Sequence, residues 1–416
     1  MRKRALVLSG GGTKGVYQCG VVSALRKLGK DNWDIITGTS VGALNAAMLV
    51  QGDFDAMEAM YENLEAEQIV NGYVPRDLSL QGLLRDHRNV LPALGDYLKN
   101  EGLDISPFLD MVDRYYDPDR FFASPVDFGC VATRKQGGTP VFVTKDMMRE
   151  KGKDWLIASA SAYPAFPVRE IDGEEYMDGG YADNTPIDLA MQLGAEEVIS
   201  IEMHEKVLHP GYLGRKYITI IHPQHELFSL LEFDKVKLIR AKTLGYLDTM
   251  KTFGVLPGIR YTFAAHPLPA EFDRWYLQVM RLEAMAYRSG GKWTSPEPVM
   301  ETLRQFSNRA SLDYTEMFYA SLDVLMTIAG LDDTIVWEFD KAREELTGFF
   351  SREDAESAGC WSDVKALAGH GEAIRYLLSL IRSGGEKDIP GDITVKAVMY
   401  PFVTALADYY LSMIRL

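Results

Sequence analysis

Ile35 Ile36 Thr37 Gly38 Thr39 Ser40 Val41 Gly42 Ala43 Leu44 Asn45 Ala46 Ala47 reads as an apolar run, a turn of small residues and a run of helix formers. Within it, Gly38 to Gly42 fits Gly-x-Ser-x-Gly, the nucleophile elbow in which flanking glycines let a strand reverse into a helix without steric clash. The serine at the apex of such a turn lies at a helix N-terminus, where unpaired amides and the helix dipole favour developing negative charge. Ser40 is therefore a candidate nucleophile, supported by Gly38 and Gly42. Taken alone, the pentapeptide fits a plain strand-to-helix turn equally well, so partners elsewhere must decide.

Upstream, Ala5 Leu6 Val7 Leu8 is a short, continuously apolar strand of the kind found in parallel sheets. Gly10 Gly11 Gly12 Thr13 Lys14 Gly15 follows and leads into a helix over Val16 to Leu28. Gly10, Gly12 and Gly15 satisfy the dinucleotide fingerprint Gly-x-Gly-x-x-Gly. That reading wants an acidic residue at the end of the second strand, whereas Asp34 precedes that strand and Ser40 follows it. A P-loop would end in Gly-Lys-Ser/Thr, but here Lys14 precedes Gly15 and no hydroxyl follows. The remaining reading is an oxyanion hole, in which Gly10, Gly11 and Gly12 aim amide donors at a carbonyl oxygen that becomes anionic during acyl transfer.

Downstream of the elbow, helices are expected at Val41 to Val50, Asp53 to Glu67 and Ile105 to Tyr116, and strands at Val126 to Thr133 and Pro140 to Thr144. Asn71 to Asn100 carries scattered glycines and prolines and reads as a lid-like excursion near the site or, equally, as surface padding. A helix begins at Trp155 and breaks before Pro164, and its serines and alanines suit close packing. Asp178 Gly179 Gly180 places a carboxylate on a turn whose backbone approaches something closely, or else simply joins two elements. A helix from Pro186 to Leu193 and strands at Val198 to Ile201 and Tyr217 to Ile221 complete an α/β alternation. Beyond His222 Pro223 the strands largely stop. Apolar residues then recur at helical intervals, as at Val236, Ile239, Leu247 and Met250, at Phe318, Leu322, Leu325 and Ala329, and at Ile374, Leu377, Leu378 and Ile381. These are read as buried stripes, which sets domains of 1–222 and 223–416.

With 416 residues, 47% hydrophobic and 25% charged, the chain has the composition of a globular protein with a full core. A net charge of −15 argues against nucleic acid as a partner. Cys19, Cys130 and Cys360 are too dispersed for a disulfide framework or a zinc spacing. Neither the short apolar run after Arg2 Lys3 Arg4 nor the segment from Ala397 to Ala407 has the length of a signal or spanning segment. A cytoplasmic protein, with peripheral membrane or micelle contact left open, is the resulting expectation. Of the seven histidines, His204, His209 and His222 follow Asp178 in an order that a Ser-Asp-His triad allows, although none has a local signature.

Taken together and in order, the glycine loop at 10–15, the elbow at 38–42 and Asp178 Gly179 Gly180 resemble the three motifs of patatin-like phospholipases. Ala158 to Pro167 is similar to the family's Ser-Ala-Pro stretch, Asn184 and Pro186 to its Asn-x-Pro, and the helix around Gly245 Tyr246 Leu247 Asp248 to a segment of bacterial members. The resemblance implies an α/β-hydrolase-related sheet flanked by helices, followed here by a mainly helical C-terminal region. It implies a Ser-Asp dyad with Ser40 as nucleophile and Asp178 as base, an oxyanion hole at Gly10, Gly11 and Gly12, and Gly179 and Gly180 supporting the aspartate. No cofactor and no metal, catalytic calcium included, is implied. The substrate implied is a lipid ester, a phospholipid or lysophospholipid. The alternatives are a short-chain esterase or thioesterase, and a non-catalytic module that binds lipid or a partner on the same fold. Acyl length, headgroup and oligomeric state are not legible.

Overall fold

The computed structural model describes residues 2–71, 102–265, 280, 303–304, 307 and 312–350. The lid-like excursion over 72–100, His87, His266, His370, Cys360, the stripe at 374–381 and the segment 397–407 lie outside the described residues. Contacts divide the chain into two compact units, Met1–Thr249 and Met250–Leu416.

The first unit is built on a mixed sheet of eight strands among the described residues. The strands are β1 (Arg4–Leu8), β2 (Ile35–Thr39), β3 (Asp127–Arg134), β4 (Pro140–Thr144), β5 (Arg169–Ile171), β6 (Glu174–Asp178), β7 (Glu197–Ile201) and β8 (Ile218–Ile221). Strands β3, β2, β1, β7 and β8 run parallel in that spatial order. Strands β4 and β6 pair antiparallel with β3, and β5 with β6. Helices α1 (Gly15–Lys27), α2 (Val41–Val50), α3 (Phe54–Glu62), α4 (Ser106–Tyr115), α5 (Pro118–Ala123), α6 (Met148–Ser159) and α7 (Ile187–Gln192) flank it. Alternation along β1 divides the core. Ala5 and Val7 pack with Ile35, Val198, Ile187 and Ala190 on one side, and the fully buried Leu6 and Leu8 face the other.

The register of β3 brings the two candidate residues together across the intervening chain. Val131 pairs with Thr39 of β2 and with Phe142 of β4, so β2 and β4 lie on opposite edges of β3. Ala132 pairs with Val141 of β4 and with Asp178 of β6, so β6 lies on the same edge as β2. The ends of β2 and β6 therefore meet, with Thr39 and Asp178 opposite consecutive residues of one strand.

Sequence reading places Asp178 on a turn and misses β5 and β6. The hairpin has a signal: Ile171 pairs with Glu174 across Asp172-Gly173, which both have positive φ (56° and 80°). Asp-Gly is the combination that a two-residue type I′ turn favours. Helix α3 stops at Glu62, short of the expected Glu67, and α6 runs from Met148 to Ser159 rather than from Trp155.

A further helix, α8 (Lys235–Thr252), follows the sheet. It closes tightly on α1: a Cβ on Gly20 would fall 1.8 Å from the Lys242 carbonyl oxygen, and one on Gly245 would fall 2.2 Å from that of Tyr17. The buried Tyr17 hydroxyl donates to Asp248 Oδ2 at 3.0 Å. The division between the units thus falls at 249/250, later than the 222/223 boundary read from where the strands stop. The stripe read along α8 holds in its second half, where Leu247 and Met250 are buried, and not in its first, where Val236 and Ile239 are 76% and 65% exposed and Leu238, Ala241 and Leu244 are buried instead. Apolar residues on both faces recur at helical spacing there, so periodicity alone does not distinguish them.

In the second unit, β9 (Thr262–Phe263) and β10 (Val336–Trp337) pair in parallel, and α9 (Tyr314–Ala329) buries Phe318, Leu322 and Leu325 as its spacing predicts. Helix α10 (Phe339–Phe350) follows. Asp323 is buried and accepts the amides of Arg260 and Tyr261 at 2.8 and 3.0 Å. No described helix is long and apolar enough to cross a membrane.

Candidate active site

Strand β2 delivers Ser40 as the residue before α2, at φ 57° and ψ −129°. A non-glycine residue at that φ is strained, at a cost of roughly 1–3 kcal/mol, and is held there by the surrounding structure. Gly42 is part of that restraint, because a Cβ on it would lie 2.3 Å from the Leu8 carbonyl oxygen and 2.6 Å from that of Ser9. Any side chain there would push α2 away from the end of β1. The Ser40 backbone N–H donates to the buried Ser159 Oγ at 2.9 Å, which fixes the turn from the side of α6.

The Ser40 hydroxyl lies beside the Asp178 carboxylate in the wall of one cavity, close enough to favour the ionised carboxylate. Asp178 is itself fixed at three points. Its N–H donates to Ser161 O at 2.7 Å, its carbonyl accepts from Thr133 Oγ1 at 2.9 Å, and its Oδ1 accepts the Gly180 N–H at 2.7 Å. Burial of this carboxyl raises its pKa to about 6, against the downward pull of the Ser40 and Gly180 hydrogen bonds. The change matters for chemistry: a carboxylate with a pKa near 6 is a better base for a hydroxyl than one with the ordinary value near 3.9, and is still ionised at neutral pH. Gly38 lies within β2, and Gly179 and Gly180 form a 3-10 turn directly after β6.

The glycine loop sits beside this pair. Gly12 takes φ +59°, and a Cβ there would fall 2.1 Å from the Leu230 carbonyl oxygen, so the loop passes directly under the segment around residue 230. Sequence reading names Gly10, Gly11 and Gly12 as donors. The structure alters that set, because the Gly10 N–H is already committed to Asn184 O at 3.1 Å. Asn184 Nδ2 in turn donates to Gly10 O at 3.2 Å. Among the described residues the N–H groups of Gly11 and Gly12 have no hydrogen-bond partner.

A buried polar network supports the loop from below. Gln18 Nε2 donates to Ser9 O at 2.9 Å, Asn45 Nδ2 to Gln18 Oε1 at 2.8 Å, and the Tyr61 hydroxyl to Asn45 Oδ1 at 3.1 Å. Together these bonds tie α1, α2 and α3 to the strand end that carries the glycines. Ser159, Asn184, Gln18 and Asn45 are residues that sequence reading does not single out as functional. Ser159 and Asn184 fall within stretches matched by the resemblance, whereas Gln18 and Asn45 have no local signature.

A cavity of about 310 Å³ opens between the glycine loop and the helices. Ser40, Asp178 and Gly10 to Gly12 lie in its wall, and most of the remainder is apolar, including Leu44, Met48, Met60, Phe108 and Phe166. His204 also lines it, with a pKa lowered by burial and by the nearby Lys14. Among the described residues no histidine is hydrogen-bonded to Ser40, whose hydroxyl lies beside Asp178. His209 instead lies 3.9 Å from Asp183, and His222 shares a 3.2 Å contact with Gln224. No three His, Cys, Asp or Glu side chains gather as a metal site among the described residues. The assembled parts are a serine hydroxyl beside a buried carboxylate, two glycine amides without a hydrogen-bond partner among the described residues, and an apolar chamber, which together suit acyl transfer.

Residues 6–191 match the model of a family described as Patatin-like phospholipase. The cUMP-AMP-activated phospholipase of Escherichia coli is 30% identical over 206 residues, which span 44% of this chain and 56% of that protein. Patatin-like phospholipase domain-containing protein 7 of Mus musculus is 28% identical over 205 residues, covering 48% of this chain and 13% of that protein. The crystal structure of VipD from Legionella pneumophila superposes with a TM-score of 0.39 and 15% identity, covering 99% of this chain and 92% of that one.

Proposed function

We propose that this chain, whose residues 6–191 match the patatin-like phospholipase family model, is a lipid acyl hydrolase acting on phospholipids or lysophospholipids through a Ser40–Asp178 dyad. The observation that carries the reading is the contact of Ser40 with a buried carboxylate in the wall of an apolar cavity.

In the first half-reaction Ser40 Oγ attacks the ester carbonyl carbon while its proton passes to Asp178. The oxyanion that forms is stabilised by the amides of Gly11 and Gly12, with Gly10 holding the loop through Asn184. One such donor is typically worth about 3–4 kcal/mol in the transition state. Collapse breaks the ester C–O bond, and the departing alcohol takes the proton from Asp178. Water then loses a proton to Asp178 and attacks the acyl-Ser40 carbonyl, releasing the fatty acid and restoring the serine hydroxyl. The neighbouring apolar chamber receives the acyl chain. Each methylene buried there contributes roughly 0.8 kcal/mol, close to a fourfold gain in binding per methylene until the chamber is full.

Fatty-acid release from phosphatidylcholine, and from p-nitrophenyl esters of increasing length, tests this reading across pH. Because Asp178 acts only when ionised, kcat/KM is expected to rise with pH through about 6 and then level off. Rates are expected to climb with acyl length. Activity confined to short esters, or a rate that falls as pH rises through 6, would contradict the proposal.

A further inference from the structure

Three buried side-chain oxygens near the end of β7 make no hydrogen bond among the described residues: Thr185 Oγ1, Ser200 Oγ and Glu202 Oε1. Ser200 and Glu202 are fully buried and Thr185 is 1% exposed, so bulk solvent does not reach them. Buried polar groups are as a rule partnered, and orphaned ones gathered against one sheet face point to a ligand.

The strand ladder places them. Val7 pairs with Ser200 on one side and Thr37 on the other, so these three side chains form a row next to the apolar row of Ala5, Val198 and Ile35. Glu202 follows two residues after Ser200, and its N–H extends the ladder by donating to Ile221 O at 2.9 Å. The segment 183–186, which contains Thr185, crosses this face: Pro186 O accepts from Thr37 Oγ1 at 3.1 Å and Asp183 O from Thr39 Oγ1 at 2.9 Å. Residues 208–212 cover it as well. The Leu208 N–H donates to Glu202 Oε2 at 2.6 Å, and Tyr212 packs against the same core cluster.

Glu202 forms no ion pair with lysine or arginine among the described residues. The basic group acting on it is His209, whose ring also lies 3.9 Å from Asp183. Burial pushes the carboxyl groups of Glu202 and Asp183 up. A proton on Glu202 would cancel its charge and leave both hydroxyls unsatisfied, whereas a water would bond the hydroxyls and leave the charge. A cation held by all three oxygens answers both needs. An all-oxygen donor set suits a hard cation, and a single carboxylate balances a single charge.

We propose that Thr185, Ser200 and Glu202 hold an alkali-metal cation, Na⁺ or K⁺, that braces the glycine loop. The residues beside the site are that loop's supports. Met203, next to Glu202, donates its N–H to Ser9 Oγ at 3.1 Å, and its Cε would lie 2.8 Å from a Cβ on Gly11. Asn184, next to Thr185, accepts the Gly10 N–H at 3.1 Å. The site stands apart from the lipid-hydrolase reading, on which only the kinetic readout of the test rests.

The full chain is exchanged into choline chloride and titrated with KCl or NaCl at constant ionic strength. The thermal midpoint is expected to rise by about 3 °C or more and to saturate. Equilibrium dialysis with radioactive Rb⁺ should find one ion per chain above the choline background, and kcat for p-nitrophenyl butyrate should rise at least threefold over the same range. Glu202→Gln keeps the shape and removes the charge. It should abolish the ion-dependent shift and raise the midpoint in choline, while Ser200→Ala should weaken the ion's affinity at least fivefold. The proposal is overturned if the parent's midpoint is the same in choline as in alkali salts, as a buried water would give. It is also overturned if the shift survives in Glu202→Gln, if only Ca²⁺ or Mg²⁺ produces it, or if an active parent turns over equally in every salt. A parent that hydrolyses nothing in any salt would sink the catalytic reading alone, with thermal shift and dialysis still deciding the cation site.

Discussion

Ser40→Ala should fold as the parent does and lose ester hydrolysis by a factor of about 10³ or more, the scale on which loss of a nucleophile acting in a coupled unit is felt. The substitution isolates chemistry from structure. Alanine keeps the Cβ and so the strained φ of 57°, and it keeps the backbone N–H that donates to Ser159. Only the hydroxyl leaves. Far-ultraviolet dichroism and the thermal midpoint should match the parent while product release from p-nitrophenyl butyrate disappears. Retention of more than a tenth of the parent rate in a pure preparation would mean that another group attacks the ester.

Asp178→Asn should cost about 10²–10⁴ in kcat, the usual range for a general base, and its effect on stability should carry an opposite sign. Burial raises the Asp178 pKa from 3.8 to about 6, which corresponds to about 3 kcal/mol of preference for the neutral form in the folded state. A carboxyl whose folded pKa is raised supports the fold fully below its unfolded pKa and loses that support as pH rises through about 6. The parent therefore carries a buried charge at pH 8 that asparagine does not. The Asn variant is expected to have the higher thermal midpoint at pH 8, with the gap narrowing by pH 5. A variant that is inactive and also markedly less stable at pH 8 would point to a structural role for the carboxylate.

How far the sequence carries this picture differs from residue to residue. The elbow is legible because both flanking glycines are sterically forced, as the 2.3 Å approach at Gly42 illustrates. The glycine loop is legible because its competing readings fail on the placement of Asp34 and Lys14. The proximity of Ser40 and Asp178 rests on the register of β3, a non-local pairing that no window of sequence reports. The hairpin that carries Asp178 has only Asp172-Gly173 as its signal, since Glu174 Glu175 offers no apolar alternation to mark a strand. On α8 two interleaved apolar sets shared one period, and packing against Gly20 on α1 chose the set containing Leu238 and Ala241. Gln18 and Asn45 act through tertiary hydrogen bonds, which leave no trace in local pattern.

Ser40 and Asp178 working as one unit is the claim on which the rest depends, and covalent trapping tests it most directly. The full chain is incubated with a fluorophosphonate and mapped by peptide mass spectrometry, in parallel with Asp178→Asn. The account predicts a single adduct on Ser40, forming faster as pH rises through about 6 and at least a hundredfold more slowly in the variant. An adduct on a different serine, or equal labelling of parent and variant, would contradict it.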